Sequence, residues 1–61
     1  MKMELLIEFI KNEIKDLEET KDFYLEQLDK NPLDEVAEQR IHELHYGIIE
    51  LKRVLDKYET L

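Results

Sequence analysis

The chain has 61 residues, of which 41% are charged, and its sixteen acidic and nine basic side chains give a formal net charge of -7. This charge repels phosphate backbones and anionic lipid surfaces, so direct binding to nucleic acid or to a membrane is disfavoured. The absence of cysteine excludes disulfides and thiolate zinc sites. Because so short a chain buries only about 60% of its unfolded surface, oligomerisation is the default way to complete a core.

The amino-terminal residues are apolar but are not expected to form a signal peptide. Glu4 and Glu8 interrupt the only candidate apolar region, and no small-residue cleavage site follows it. No apolar run approaches the roughly 20 residues that cross a bilayer. We therefore expect a soluble protein, and the absence of cysteine is compatible with a cytoplasmic location.

The first predicted element is a helix over about residues 2–30, in which apolar residues recur at alternating steps of four and three. We call these positions the seam, and in this helix they are Met3, Ile7, Ile10, Ile14, Leu17, Lys21, Tyr24 and Leu28. Lys21 is the polar interruption, and we expect its stem to pack while its amine reaches Glu18 or Glu26. The alternative is that Lys21 fixes the register or the oligomeric state.

A turn is predicted at about residues 30–32. Pro32 disfavours helical backbone in the residue before it, so Asn31 should end the first helix. Asn31 can also cap the second helix, with Pro32 at its first position. The main alternative is one continuous helix, which a proline in the middle would destabilise by about 3 kcal/mol.

A second helix is predicted over about residues 32–60, and its seam has the same spacing. Facing seam residues have numbers that sum to 65, as for Leu17 with Ile48. A short turn forces antiparallel neighbours, so we expect an all-α fold, one antiparallel helical hairpin domain over residues 1–61. Its core is predicted to consist of Ile7, Ile10, Ile14, Leu17, Tyr24, Leu28, Ala37, Ile41, Leu44, Ile48, Leu51, Leu55 and Tyr58.

Two flanks of different polarity run beside the seam. The apolar flank consists of Leu6, Phe9, Thr20, Phe23, Val36, Gly47, Val54 and Leu61. The polar flank holds Glu4, Lys11, Glu18, Glu38, His45, Lys52 and Glu59, with Asp22 and His42 beside them and Leu25 and Ile49 as its large apolar members. We expect the polar flank to face water.

The apolar flank needs a second layer, because a two-helix hairpin covers only one side of each helix. The economical solution is a copy related by a two-fold axis, which gives a homodimeric four-helix bundle. Gly47 costs about 1 kcal/mol relative to alanine in a helix, which suggests that a neighbour lies close to it. The alternative is a tolerated surface glycine.

Catalytic chemistry has few candidates in this sequence. Serine and cysteine are absent, and a single glycine excludes phosphate-cradling loops. We therefore expect no enzyme and no cofactor. Glu38, His42 and His45 are weak candidates for zinc ligands, because they recur at three- and four-residue spacing. A pH-sensitive contact and ordinary surface ion pairs are the alternatives.

These features favour a small acidic protein–protein interaction module. We expect a homodimer that acts as an adaptor, or as a stoichiometric regulator or inhibitor, of one larger protein. One alternative is an acidic decoy of the phage or mobile-element type, which mimics nucleic acid and blocks a nucleic-acid-binding protein. A second is a purely structural assembly unit. Partner binding that weakens strongly with salt would favour the decoy, because mimicry relies on charge.

Overall fold

The computed structural model describes residues 2–60, which form two long helices joined by a short turn. Helix α1 spans Lys2–Lys30 and helix α2 spans Glu35–Glu59. The helices pack side by side as a hairpin with overall dimensions of 46 × 14 × 12 Å. The predicted all-α helical hairpin is therefore confirmed, whereas its dimerisation into a four-helix bundle stays a prediction.

The turn extends further along the chain than the sequence predicted. Helix α1 ends at Lys30 as expected, but α2 begins at Glu35 and not near residue 32. The residue that caps α2 is Asp34, whose carboxylate accepts a hydrogen bond from the amide of Ala37 at 3.0 Å. The prediction that Asn31 caps α2 is therefore wrong.

Asn31 has a different task, because it closes the turn. Its carbonyl accepts a hydrogen bond from the amide of Asp34 at 3.0 Å, and its Oδ1 accepts one from the amide of Leu33 at 3.3 Å. Pro32 then occupies the second position of a four-residue turn, for which its fixed φ is suited. Asp34 is the better cap because it brings a full negative charge to the positive end of α2.

The core is one layer deep and lies in the seam. Ile10, Ile14 and Ile48 form a buried cluster, against which Leu17, Leu51, Leu55 and Tyr58 pack. Ala37 is buried near the turn. The other residues predicted for the core are half-buried: Ile7, Tyr24, Leu28, Ile41 and Leu44. Met3 is exposed, because its level lies beyond the end of α2.

The contacts between the helices fit a register in which facing residue numbers sum to about 65. Ile14 and Leu51 belong to one cluster, and their numbers sum to that value. The ion pairs from Lys11 to Glu59 and from Glu18 to Lys52 sum to 70. In both ion pairs the long side chains lean toward the amino end of their own helix. The numbers of the paired residues therefore have a higher sum than those of residues whose backbones face each other.

Candidate interaction surface

The apolar flank is open to solvent in the hairpin. Phe9 is 59% exposed, Phe23 is 54% exposed and Val36 is 67% exposed, while Leu6 and Val54 are each exposed by more than a third. These side chains project from two helices that pack against each other through the seam. The hairpin alone therefore leaves a row of large apolar side chains uncovered, which is typical of an interaction surface.

The smaller members of the apolar flank lie in its middle. Thr20 is exposed, and its hydroxyl donates a hydrogen bond to the carbonyl of Asp16 at 2.9 Å. This bond turns the polar group of Thr20 back onto its own helix. Gly47 is half-buried, and Leu61 lies outside the described residues.

Gly47 and Thr20 leave a groove with a volume of about 250 Å³ on the apolar flank. A Cβ atom at Gly47 would lie 3.6 Å from Cδ1 of Leu17, which is ordinary van der Waals contact. The hairpin itself therefore has room for alanine at this position, and packing within it does not require glycine. The groove is lined by Leu17, Thr20, Tyr24, Arg40, Glu43, Leu44 and Gly47.

Charges cancel along the apolar flank. The residues of the apolar flank recur every three or four positions along each helix. Four basic and four acidic residues occupy further positions of the same series: Lys2, Lys30, Arg40, Lys57, Glu13, Asp16, Glu43 and Glu50. The net charge of these eight residues is zero, so the whole formal charge of -7 belongs to the other sides of the hairpin. A negatively charged partner, including a second copy, meets the least repulsion at the apolar flank.

The polar flank carries the ion pairs that join the helices. Within residues 2–60, Lys11 pairs with Glu59 and Lys52 pairs with Glu18, each at 3.8 Å. All four side chains are about half exposed, so each pair contributes little to stability. Their effect is to satisfy charges on this flank within one chain.

Lys21 contacts a different residue from the one that the sequence suggested. Its amine donates a hydrogen bond to Nδ1 of His45 at 3.4 Å, and not to Glu18 or Glu26. Glu18 is engaged by Lys52 instead. The stem of Lys21 is half-buried in the seam, as expected for a lysine whose amine reaches solvent.

The polar flank also has a groove, which the sequence reasoning did not foresee. Leu25 is 44% exposed and Ile49 is 37% exposed, and both line a groove of about 460 Å³ that includes Lys21 and His45. The signal in the sequence was present, because these two are the large apolar residues of an otherwise charged flank. Leu5, Leu33 and Tyr46 are exposed as well, and belong to neither flank.

The zinc hypothesis gains nothing from the structure. Among residues 2–60, no three histidine or carboxylate side chains come together in a group that could hold a metal ion. The Lys21 amine lies beside His45, and a cation there opposes the binding of another. His42 lies beside Glu38 and Tyr46 in a shallow pocket on α2.

Comparison of the chain with known protein families, with curated proteins and with solved structures gives no match. Neither helix within residues 2–60 combines the length and apolarity that crossing a membrane requires. The two flanks described above are therefore the features of this chain that bear on its function.

Proposed function

We propose that this chain is a small, non-enzymatic interaction module of the cytoplasm, which self-associates through its apolar flank. The homodimer would be a four-helix bundle that acts as an adaptor or stoichiometric regulator of one larger protein. The observation that carries the proposal is the combination of exposed large side chains with cancelled charge on a single flank.

The energetics favour a second copy on this flank. Each Phe, Leu or Val side chain that moves from water into an interface contributes roughly 1.5–3 kcal/mol when it is fully buried. Within residues 2–60 the buried apolar side chains are Ile10, Ile14, Ala37 and Ile48, a core that is small for an independent domain. Dimerisation would add a second layer of helices and cover Phe9 and Phe23, which are exposed in the hairpin.

The polar side of the dimer would remain free for the larger partner. That side carries the formal charge of -7 of each chain, and it includes the groove beside Leu25 and Ile49. In many interfaces a central group of apolar side chains provides affinity, and the charged side chains around it fix the orientation of the partner. The proposed regulator would thus use one flank for assembly and the other for its target.

The decisive experiment compares two glutamate substitutions at positions of equal exposure. Val54 on the apolar flank and Ile49 on the polar flank are both 37% exposed, and both lie on α2. We expect the unsubstituted chain to be a dimer whose helicity falls on dilution, as measured by light scattering and circular dichroism. Val54→Glu should give monomer or unfolded chain, because it brings a charge into the interface.

Ile49→Glu is the matched control, since it adds the same charge outside the proposed interface. We expect it to leave the dimer intact. A dimer unchanged by Val54→Glu would contradict the assignment of the apolar flank. A helical monomer at all concentrations of the unsubstituted chain would contradict self-association itself.

The segregation of charge favours a second candidate function, the acidic decoy. Because the net charge lies entirely away from the apolar flank, a dimer would present two negatively charged outer surfaces to a basic protein. The affinity for such a partner should fall by about tenfold or more when the salt concentration rises from about 0.05 to 0.5 M. Binding of an apolar groove to a helix should change far less.

A further inference from the structure

Two grooves on the polar side of the hairpin meet at Leu25. This side chain lines both the groove of about 460 Å³ beside Ile49 and a second groove of about 350 Å³ beside Pro32. Leu28 and Ile48 supply further apolar surface between the helices. We call this continuous surface the turn-side groove, and it consists of Leu25, Leu28, Pro32, Ile48 and Ile49.

The turn-side groove has the dimensions of a short helix. It follows α1 from Asp22 to the end of the helix at Lys30, which is about 12 Å at a rise of 1.5 Å per residue. It lies between α1 and α2, so a third helix set into it would contact both. An amphipathic guest of two to three turns would present its apolar side chains to such a groove at three- and four-residue spacing.

The charge around the turn-side groove is strongly negative. Residues 22–43 hold seven acidic and two basic residues, so five of the seven formal negative charges lie in 22 of the 61 residues. One of the two basic residues, Arg40, pairs with Glu43 at 3.1 Å. A positively charged guest is therefore attracted to this end of the hairpin.

The lysines that line the groove do not reverse this preference. Lys52 pairs with Glu18 at 3.8 Å, at the end of the groove away from the turn. The amine of Lys21 donates a hydrogen bond to the histidine opposite. Asp22 and Asp29 also line the two grooves, and neither forms an ion pair within residues 2–60. Two carboxylates are thus available to the cationic side chains of a guest.

Both of these carboxylates are unfavourable within the hairpin itself. Asp29 lies in the last turn of α1, where the negative end of the helix disfavours a carboxylate. Asp22 is four residues from both Glu18 and Glu26, a spacing at which like charges on a helix repel. The hairpin gains no stability from these charges, whereas cations supplied by a guest would relieve both.

We propose that the turn-side groove binds a basic amphipathic helix of the larger partner. Apolar side chains of that helix would contact Leu25 and Ile49, and its lysine or arginine side chains would pair with Asp22 and Asp29. The site rests on the proposed function, because it specifies the kind of segment by which the adaptor or regulator recognises its target. It requires both features of the guest, since neither charge nor apolar surface alone fits the groove.

The test uses fluorescence anisotropy with a labelled helical peptide of about 14 residues. This basic peptide is made of leucine, lysine and alanine, with its leucines at three- and four-residue spacing. One comparison peptide has glutamate in place of lysine, and a second has alanine in place of leucine. We expect the basic peptide to bind at least about tenfold more tightly than either.

Substitution of the two carboxylates tests the predicted ion pairs. Asp22→Asn with Asp29→Asn should raise the Kd of the basic peptide about tenfold. Glu8→Gln with Glu19→Gln is the matched control, because it removes the same charge at exposed positions outside the groove. We expect the control to change the Kd by less than about twofold. Equal effects of the two double variants would show attraction to the overall charge only and would overturn the site.

Truncation of apolar side chains locates the peptide on the hairpin. Leu25→Ala should raise its Kd about tenfold, whereas Leu5→Ala should have little effect, because Leu5 is exposed and lies outside the groove. If Phe23→Ala weakens binding and Leu25→Ala does not, the peptide lies on the apolar flank and the proposed site is wrong.

The stability of Asp29→Asn separates a role in binding from a role in the fold. The substitution removes a carboxylate from the negative end of α1, so it should raise the Tm by roughly 2–4 °C while it weakens peptide binding. A lower Tm would show that this carboxylate serves the hairpin, which contradicts its assignment to a guest.

Failure of the site and failure of the proposed function give different results. A chain that dimerises but does not bind the basic peptide overturns the site alone. A monomer that binds the peptide through Asp22, Leu25 and Asp29 retains the site and overturns self-association.

Discussion

Lys21 stabilises the hairpin less than an apolar residue at the same seam position would. It is the charged member of the seam, and it gains only a hydrogen bond of 3.4 Å to His45. The half-buried stem packs in the seam while the amine reaches its surface. The contact with His45 depends on the rotamers of two long side chains, so the residue spacing that located Lys21 in the seam could not identify its partner.

We expect Lys21→Met to stabilise the protein. Methionine keeps the length of the stem and removes the charge, which should raise the free energy of unfolding by about 1 kcal/mol. For a domain of this size, that corresponds to a rise in Tm of roughly 4–8 °C in thermal unfolding followed by circular dichroism. Lys15→Met, at an exposed position on the outer side of α1, is the control and should change little.

Gly47→Ala should have opposite effects on the helix and on the dimer. Alanine favours helix by about 1 kcal/mol, and its Cβ would be 3.6 Å from Leu17, so helicity at low concentration should rise. In the proposed dimer the same methyl group would fill part of the groove on the apolar flank. We expect a higher Kd in a light-scattering dilution series, and a tighter dimer would show that the groove is empty.

The two helices are the elements that the sequence predicted well, because each is long and its apolar spacing is regular. The residues of the buried cluster, Ile10, Ile14 and Ile48, were all in the predicted core. The boundary of α2 was predicted less well, because Asn31 and Asp34 are both good capping residues. The sequence suggested a close neighbour at Gly47 but did not predict the groove, which depends on Thr20 of the other helix.

The cap of α2 can be tested by alanine substitution at both candidates. Asp34→Ala should lower the free energy of unfolding by about 1 kcal/mol, because the Ala37 amide loses its acceptor and α2 loses a charge near its positive end. Asn31→Ala should cost less, since its side chain makes one longer bond to Leu33 at 3.3 Å. A larger loss for Asn31→Ala in thermal unfolding would show that Asn31 is the cap after all.

At the scale of the whole molecule, the distribution of charge matters more than its sum. The formal charge is -7, yet the apolar flank is neutral. Two copies that approach through this flank still repel each other through their outer sides, although the contact itself is not charged. The sequence contained this segregation, but it becomes visible only when the flank is followed residue by residue along both helices.

Salt should therefore strengthen self-association. Raising the ionic strength from about 0.02 to 0.5 M shortens the screening length from roughly 20 Å to about 4 Å and removes most of the long-range repulsion. We expect the Kd of the dimer to fall severalfold over this range in sedimentation experiments. A Kd that rises with salt would indicate that ion pairs, and not apolar contacts, drive association.

The position of the buried cluster has a consequence for folding. Ile10, Ile14 and Ile48 lie away from the turn, and the layer that contains Lys21 separates them from it. The chain must close a loop of roughly 30 residues before the layers of this cluster form, although the layers beside the turn, which include the buried Ala37, are closer in sequence. Amide hydrogen exchange should accordingly be faster near Tyr24 and Ile41 than near Ile14 and Ile48, so the covalently joined end of the hairpin would open more readily than the layers beyond it.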